Sequence, residues 1–406
     1  MKFLSASYLL VCDDKFSIIE NGVVVFDKTI HFVGTLEQFK KQYPNKPIEF
    51  LGKNSVLMPG FINSHIHLEF SANKTILEYG DFIKWLFSVI KHREDLIHNN
   101  LEKIIDNELS NMLKKGTTTI GAISSYGYDL KSCIKTPINV VYFTEILGSK
   151  PDMIDTIFSD FKAKLSQANS HKTDNFIPAI AIHSPYSTHP ILIREILKIA
   201  KENNYAVSAH FLESTAEKEW LENSTGDFVP FFKNLLNQTK SLTNANDFLS
   251  QFLDIKNLSF THCTKANKQE LEKIEQLKAS IIHCPTSNRL LTNTKLNLTQ
   301  LNNINIALGT DGLSSNNNLD ILSELHNALF IHTNINLNDL AIQLLLASTN
   351  GGGKTLGLKK GILKKDYDAD IISFTLPQDT QKENLPYSII LHTKSIDNIF
   401  INGVGY

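Results

Sequence analysis

Arginine and cysteine are among the scarce residues of this 406-residue chain. Arginine occurs only at Arg93, Arg194 and Arg289, so bidentate clamps for phosphate or carboxylate groups are rare. The four cysteines are scattered without a Cys-x-x-Cys pair, which argues against a disulfide framework and against a four-thiolate zinc site. No stretch approaches the roughly 18 consecutive apolar residues of a membrane span. These absences favour a protein of the reducing cytoplasm.

Charge of one sign is also lacking. The chain has 40 Lys and Arg residues against 42 Asp and Glu residues, a net charge of −2 with both signs interspersed. Such a surface does not concentrate nucleic acid or anionic membrane, so neither partner is expected. The apolar start of the chain is interrupted by Ser5, Ser7 and Tyr8, and bulky Val11 precedes Cys12. This pattern predicts a strand rather than a secretion signal.

The two ends of the chain have the pattern of small antiparallel β structure. Short apolar runs at residues 8–11, 22–26 and 29–33 alternate with turns, and the tail repeats this pattern at 370–374 and 398–401. We expect residues 1–54 and 358–406 to form one composite β-sandwich domain beside a middle domain of residues 55–357.

The middle of the chain alternates short apolar segments with amphipathic helices. Phe82, Trp85, Leu86 and Val89 lie at helical spacing, as expected for the core-facing side of one helix. Eight buried strands are predicted between the helices, at residues 60–64, 117–123, 139–143, 177–182, 206–209, 258–261, 280–282 and 304–308. This number and order are typical of a (β/α)8 barrel, with a doubly wound parallel sheet as the alternative.

In a barrel, catalytic side chains follow the C-terminal ends of the strands. His65 and His67 follow the first predicted strand, His210 and His262 end the fifth and sixth, and Asp311 follows the eighth. Each has an ordinary explanation alone, as a core histidine or as a turn aspartate before glycine. Together they predict a metal site, because imidazoles and a carboxylate suit Zn²⁺ or Fe²⁺ and leave room for an activated water.

Three further features have competing interpretations. Glu213, three residues after His210, can shuttle a proton, or it can be a carboxylate favoured at a helix N-terminus. The glycine-rich segment 351–355 resembles a phosphate-binding loop, but a helix precedes it, so a helix stop and linker are predicted there. Five other histidines lie in helical or polar stretches and are expected to be solvated: His92, His98, His171, His326 and His332.

Segments 58–67, 210–213, 261–263, 283–288, 308–311 and 369–370 together resemble the amidohydrolase superfamily, specifically its metal-dependent aromatic deaminases. The resemblance spans nearly the whole chain and implies a (β/α)8 barrel with a β-sandwich built from both termini. It also implies one divalent metal, with zinc as the first choice and iron as the alternative, on four ligands: His65, His67, His210 and Asp311.

The resemblance also implies the roles of the neighbouring residues. His262 is expected to orient the hydrolytic water, with Asp311 receiving its proton. Glu213 is expected to protonate the ring nitrogen beside the attacked carbon. Relatives with two metals usually have a bridging lysine at the end of the fourth strand, where this chain has His183, so a single ion is expected.

Segment 85–88 with Glu94 is similar to the deaminases of S-adenosylhomocysteine and methylthioadenosine. This likeness implies that Trp85, Glu94, His183 and Glu213 contact a nucleoside. Trp85 and Glu94 would lie on opposite faces of an unbroken helix, so the helix is expected to bend or end between them.

Two other features of the sequence limit which nucleoside is the expected substrate. Relatives that accept S-adenosylhomocysteine use arginines after the third strand, and this chain has no arginine between Arg93 and Arg194. Segments 63–70 and 79–82 are most similar to the 6-amino-6-deoxyfutalosine deaminases of the alternative menaquinone route, whose substrate is an adenosine with a 3-carboxyphenyl ketone at its 5′ end. Arg93 and Arg289 are the candidates for gripping that distal carboxylate.

Other functions stay open from the sequence. Adenosine, methylthioadenosine or S-adenosylhomocysteine could replace the larger nucleoside, and the same site could hydrolyse guanine, cytosine or a chlorotriazine. A long pocket for ribose and an extended 5′ group would separate these cases. A non-catalytic binding protein is the remaining alternative, and a homodimer is the expected assembly.

Overall fold

The computed structural model describes residues 1–72, 76–96 and 100–406. Within these ranges the chain forms a parallel barrel with surrounding helices and a separate sheet built from both chain ends. None of the helices described there is long and apolar enough to cross a membrane.

The strands of the described residues follow in chain order. They are β1 (Lys2–Leu10), β2 (Ile18–Phe26), β3 (Ile30–Thr35), β4 (Glu49–Phe50), β5 (Ser55–Pro59), β6 (Phe61–Ile66), β7 (Thr117–Ser124), β8 (Asn139–Ile146), β9 (Phe176–Ile182), β10 (Val207–Phe211), β11 (Leu258–His262), β12 (Ser280–His283), β13 (Ile306–Leu308), β14 (Ile371–Thr375), β15 (Asn398–Ile401) and β16 (Val404–Gly405).

The helices of the same ranges are mostly short. They are α1 (Leu36–Gln42), α2 (Phe82–Lys91), α3 (Leu101–Lys114), α4 (Leu130–Lys135), α5 (Ile154–Ser170), α6 (Pro190–Asn203), α7 (Thr215–Asn223), α8 (Phe228–Leu236), α9 (Ala245–Ser250), α10 (Lys268–Gln276), α11 (Pro285–Thr292), α12 (Ile321–Ile331), α13 (Leu337–Ala347), α14 (Asn350–Leu356) and α15 (Leu385–His392). Turns of 3-10 helix lie at Leu68–Phe70, Arg93–Leu96, Pro151–Met153, Leu298–Gln300 and Lys382–Asn384.

Strands β6 to β13 pair in parallel and in sequence order. Every residue of β6, β7, β8, β10, β11 and β12 is buried, as expected for parallel strands that are covered by helices. The backbone N–H of Asp311 donates to the carbonyl of His65 at 3.0 Å, which joins the segment after β13 to β6. The (β/α)8 barrel predicted from the sequence is therefore confirmed.

The glycine-rich segment 351–355 is a helix, so the predicted helix stop and linker are wrong. A Cβ atom on Gly351 would lie 2.1 Å from the carbonyl oxygen of Ile306, and one on Gly353 would lie 2.2 Å from that of Lys360. Close packing of α14 against β13 and against the following segment therefore requires glycine here. This packing overrides the low helix propensity of the segment.

The two chain ends form one sheet in the order β16-β15-β14-β5-β1-β2-β3, with β4 paired to β1. The sequence placed residues 55–59 in the barrel domain. In the structure they form β5, which runs antiparallel to β14 and parallel to β1. The predicted boundary after residue 54 is therefore one strand too early, because a buried apolar strand looks alike in either domain.

A buried ionic network joins the terminal sheet to the barrel. The carboxylate of Asp370 accepts hydrogen bonds from Lys360 Nζ, from Asn139 Nδ2 and from the backbone N–H of Asn402, each at 2.8 Å. Lys360 is only 3% exposed. Asn139 begins β8, so the network lies at the N-terminal end of the barrel.

We predict that Lys360→Met destabilises the protein by about 3–5 kcal/mol, because it leaves the buried carboxylate of Asp370 without its cation. The midpoint of urea denaturation measures this effect. Lys359→Met, which changes the exposed neighbouring lysine, is the matched control. Equal midpoints for the two variants would contradict the assigned role of the network.

Candidate metal centre and active site

The four predicted metal ligands converge at the C-terminal mouth of the barrel. His65 is the second-last residue of β6, and His67 directly follows the strand. His67 Nε2 is 3.3 Å from His210 Nε2, and Asp311 Oδ1 is 3.8 Å from His65 Nε2 and 3.6 Å from His67 Nε2. Ligand atoms roughly 2.1 Å from one tetrahedral cation are about 3.4 Å apart, so this spacing fits a single ion.

The hydrogen bonds of the histidines also fit a cation. Among the residues that the structure describes, none is a hydrogen-bond partner of the buried His65 Nε2. His210 donates its Nδ1–H to the carbonyl of His183 at 2.7 Å, which leaves the lone pair on Nε2 to face His67. A buried nitrogen without a partner is costly, and one cation would bind the Nε2 lone pairs of His65, His67 and His210 together. The residues present therefore fit a divalent metal.

Asp311 is held as an ionised ligand. Burial alone would raise its pKa, but the surrounding histidines hold the pKa of Asp311 well below its usual range. Its Oδ1 accepts the N–H of Gly312 at 2.9 Å, and its Oδ2 accepts the hydroxyls of Ser287 at 2.7 Å and Ser315 at 2.8 Å. These bonds fix the carboxylate toward the imidazoles.

Glu213 and His262 form an acid and base pair beside the ligands. His262 Nε2 lies 3.5 Å from Glu213 Oε1, while its Nδ1 is 2.8 Å from Asn288 Oδ1. Burial raises the pKa of Glu213 well above its usual value, and Asp311 and Glu217 add to this. Burial lowers the pKa of His262 to about 4. The raised pKa favours the protonated form of Glu213, which can donate a proton, and the lowered pKa favours the neutral form of His262, whose Nε2 can accept a hydrogen bond from water.

The backbone around these residues is held in unusual conformations. Leu212, His262 and Asp311 have positive φ angles of 47°, 72° and 61°. The side chain of Glu217 accepts the backbone N–H groups of Leu212 at 3.0 Å and of Glu213 at 2.8 Å. Positive φ in residues other than glycine is a form of strain that is common at functional sites.

The predicted substrate residues are only partly brought together. Trp85 lines the site cavity and donates its Nε1–H to the carbonyl of Ser314 at 2.8 Å, and His183 lines the same cavity. The helix ends at Lys91, between Trp85 and Glu94, as predicted. Glu94 nevertheless lies exposed in a 3-10 turn and lines neither cavity of the site. The structure does not place Glu94 at the substrate.

Two adjoining cavities form the site. The inner cavity is lined by His67, His210, Asp311, Glu213 and His262. The outer cavity has a volume of about 470 Å3. The outer walls are mostly apolar, with the exposed cations Arg93 and Lys150 among them. Six residues line both cavities: His67, Phe70, Leu86, Val89, His183 and Tyr186.

Glu145 is the functional candidate that the sequence analysis missed. It is 3% exposed at the end of β8, lines the outer cavity and accepts a hydrogen bond from the hydroxyl of Ser125. Burial raises the pKa of Glu145 to about 8. The predicted third strand stopped at residue 143, whereas β8 continues to Ile146. A strand end placed correctly would have drawn attention to this carboxyl.

Of the histidines predicted to be solvated, His332 is the exception. It is 1% exposed, and its Nε2 lies 2.9 Å from His283 Nε2. His92 is partly exposed, His171 and His326 are exposed, and His98 lies outside the described residues. The prediction for His332 is wrong because the helix that ends before it packs onto the segment around β12.

We predict that the contribution of His262 to stability is lost in acid. Its pKa is about 4 in the metal-free folded protein, against about 6.5 in an unfolded chain. Because the folded value is the lower one, its contribution is complete above about pH 6.5 and shrinks as the pH falls toward 4. The measurement is the unfolding free energy of metal-free wild type minus that of metal-free His262→Gln, followed across this range. A difference that is independent of pH would contradict the prediction.

Comparison with known proteins agrees with this geometry. Residues 56–404 match the amidohydrolase family. An aminodeoxyfutalosine deaminase of Nitratiruptor sp. is 44% identical over 388 residues, which are 95% of this chain and 95% of its own. An adenosine deaminase of Helicobacter pylori is 36% identical over 409 residues, 99% of this chain and 98% of its own. The crystal structure of Helicobacter pylori aminofutalosine deaminase in complex with methylthio-coformycin has a TM-score of 0.95 and 34% identity, covering 100% of both chains. This chain belongs to the amidohydrolase family.

Proposed function

We propose that this chain is a hydrolytic deaminase that converts 6-amino-6-deoxyfutalosine to futalosine and ammonia. The observation that carries the proposal is the pair of adjoining cavities. Three of the predicted ligands and the proton donor Glu213 line the inner cavity, and the outer one adds about 470 Å3 of mostly apolar space. The names of the similar proteins from Nitratiruptor and Helicobacter support the same substrate.

Different residues carry out the separate steps of the reaction at C6 of the adenine ring. A divalent metal would be held by His65, His67, His210 and Asp311. Bound there, it would supply the positive charge that acidifies water and stabilises negative charge near C6. Glu213 donates its proton to the ring nitrogen beside C6 and so makes that carbon electrophilic. His262, fixed through Nδ1 by Asn288, orients the attacking water through Nε2. The carboxylate of Asp311 accepts one proton of the water and passes it to the 6-amino group, so that the C6–N bond breaks and ammonia leaves. The proton that remains on the new oxygen returns to Glu213, which restores the acid and leaves the carbonyl of the product.

The outer cavity matches the 5′ substituent of this nucleoside. With adenine in the inner cavity, the 5′ group extends past His183 toward Phe231 and Phe232, whose rings suit an aryl group. Arg93 and Lys150 lie among the same lining residues, where a carboxylate on the aryl group can pair with them. Arg289, the other candidate from the sequence, is exposed and lines neither cavity.

Adenosine and methylthioadenosine remain the second candidate, supported by the relative named adenosine deaminase. The inner cavity would serve them equally well, because the metal ligands and Glu213 act on the same ring. They would leave the outer cavity largely unfilled. Guanine or a chlorotriazine would use still less of it, so the larger nucleoside fits best.

The cellular setting follows as part of the proposal. Three imidazoles and one carboxylate favour zinc, with iron as the alternative. We place the enzyme in the cytoplasm, in the futalosine route to menaquinone. A homodimer and the absence of nucleic-acid or membrane partners remain predictions from the sequence. Metal analysis of the purified protein tests the choice of ion.

We predict that Glu213→Gln lowers kcat by about 10²- to 10⁴-fold, because the amide cannot donate the catalytic proton. Metal content should stay unchanged, since Glu213 is not a ligand. Glu219→Gln, an exposed change on the neighbouring helix α7, is the control. Near-normal turnover by metal-loaded Glu213→Gln would show that the proton comes from elsewhere.

We predict that the double variant Arg93→Met, Lys150→Met lowers kcat/KM for 6-amino-6-deoxyfutalosine by about tenfold, through loss of charged hydrogen bonds to the aryl carboxylate. Deamination of adenosine, which lacks that group, should change little. Arg289→Met controls for the loss of a surface arginine. Equal losses on both nucleosides would exclude a role for these cations at the distal carboxylate.

A further inference from the structure

Glu145 is a buried carboxyl with an unused acceptor. Its side chain is 3% exposed, and its Oε1 is buried without a hydrogen-bond partner among the described residues. The other oxygen, Oε2, accepts the hydroxyl of Ser125. A buried polar atom left unpaired is costly, and a carboxyl group offers an acceptor oxygen in either protonation state. The missing donor therefore belongs to something that enters the cavity.

Glu145 lies beside the junction of the two cavities. One of its carboxyl oxygens, a ring nitrogen of His183 and one of His210 lie within 4.8 Å of one another. His183 lines both cavities, and its Nδ1 is 2.6 Å from Ser187 Oγ. This bond leaves Nε2 of His183 for a ligand. The junction thus offers two polar groups, a carboxyl and an imidazole, side by side.

A second cation is the less favourable occupant of this position. His210 would have to be the third ligand, but its Nδ1 donates to the carbonyl of His183 and its Nε2 faces His67 in the metal centre. Only Glu145 and His183 would remain, which is too few for a stable site. Hydroxyl groups of an organic ligand need no more than these two partners.

In a nucleoside the sugar is bonded between the base and the 5′ group, so it lies at this junction. The base lies at Glu213 in the inner cavity, and the 5′ group fills the outer cavity. The ribose connects the two and must therefore pass His183 and Glu145, where its adjacent 2′ and 3′ hydroxyls find an acceptor and an imidazole. This step rests on the function proposed above.

We propose that Glu145 accepts a hydrogen bond from a ribose hydroxyl, with His183 on the neighbouring hydroxyl, and thereby selects ribonucleosides over deoxyribonucleosides. Family likeness assigns this contact to Glu94, which is exposed and lines neither cavity. The preference for ribonucleosides should depend on Glu145 if Glu145 makes this contact, and on Glu94 if Glu94 makes it. One experiment distinguishes the two cases.

The experiment compares wild type, Glu145→Leu, Glu145→Gln and Glu94→Gln. Ammonia release gives kcat/KM for 6-amino-6-deoxyfutalosine and for its 2′-deoxy and 3′-deoxy analogues. Wild type should disfavour one analogue by about 10- to 100-fold, because that analogue leaves the buried acceptor of Glu145 unpaired. Glu145→Leu should lose most of this preference by losing activity on the ribonucleoside alone. Glu145→Gln, which keeps an acceptor oxygen, should retain part of it, and Glu94→Gln should retain all of it.

Each of the following results would overturn the inference. The first is that Glu145→Leu lowers kcat/KM by one factor on all three nucleosides, as a merely structural residue would. Glu94→Gln, rather than Glu145→Leu, could abolish the preference. Wild type could bind two equivalents of zinc, of which Glu145→Leu loses one. An active wild type that shows no preference would remove this inference alone, whereas a wild type inactive on the ribonucleoside would remove the proposed function and this inference with it.

Discussion

The site depends on three buried imidazoles and one buried carboxylate whose nitrogen and oxygen atoms face one another. His65 Nε2 has no hydrogen-bond partner among the described residues, and His67 and His210 present Nε2 atoms to each other at 3.3 Å. Asp311 Oδ1 completes the group at 3.6 Å from His67. One divalent cation would bind these nitrogens and this carboxylate together, and it would offset the cost of burying them without partners.

The barrel meets this requirement through the rigid ends of its strands. Each ligand follows or ends a buried strand, and Leu212, His262 and Asp311 take positive φ angles at these ends, at a cost of roughly 1–3 kcal/mol each. The same burial that excludes water raises the pKa of Glu213 and lowers the pKa of His262. These opposite shifts therefore have one common origin, which is desolvation at the mouth of the barrel.

The sequence predicts the barrel and the ligands well, because apolar strands and the polar residues after them are local patterns. It fails where tertiary packing decides. The spacing of Trp85 and Glu94 predicts that the helix ends between them, but not that the following turn leaves Glu94 exposed. Glu145 was missed because β8 continues for three residues past the predicted strand end, where packing rather than an apolar run buries Thr144 and Glu145. Segment 351–355 can be a helix at this place because glycine allows its close packing against the neighbouring backbone.

The central claim is that the two cavities act together on one nucleoside with a large 5′ group. The most direct measurement is kcat/KM for ammonia release by the metal-loaded protein on 6-amino-6-deoxyfutalosine, adenosine, methylthioadenosine, S-adenosylhomocysteine and guanine in parallel. The account predicts a preference of several orders of magnitude for 6-amino-6-deoxyfutalosine. Adenosine or methylthioadenosine as the best substrate would assign the same chemistry to purine salvage. Activity on none of them with metal bound would contradict the account.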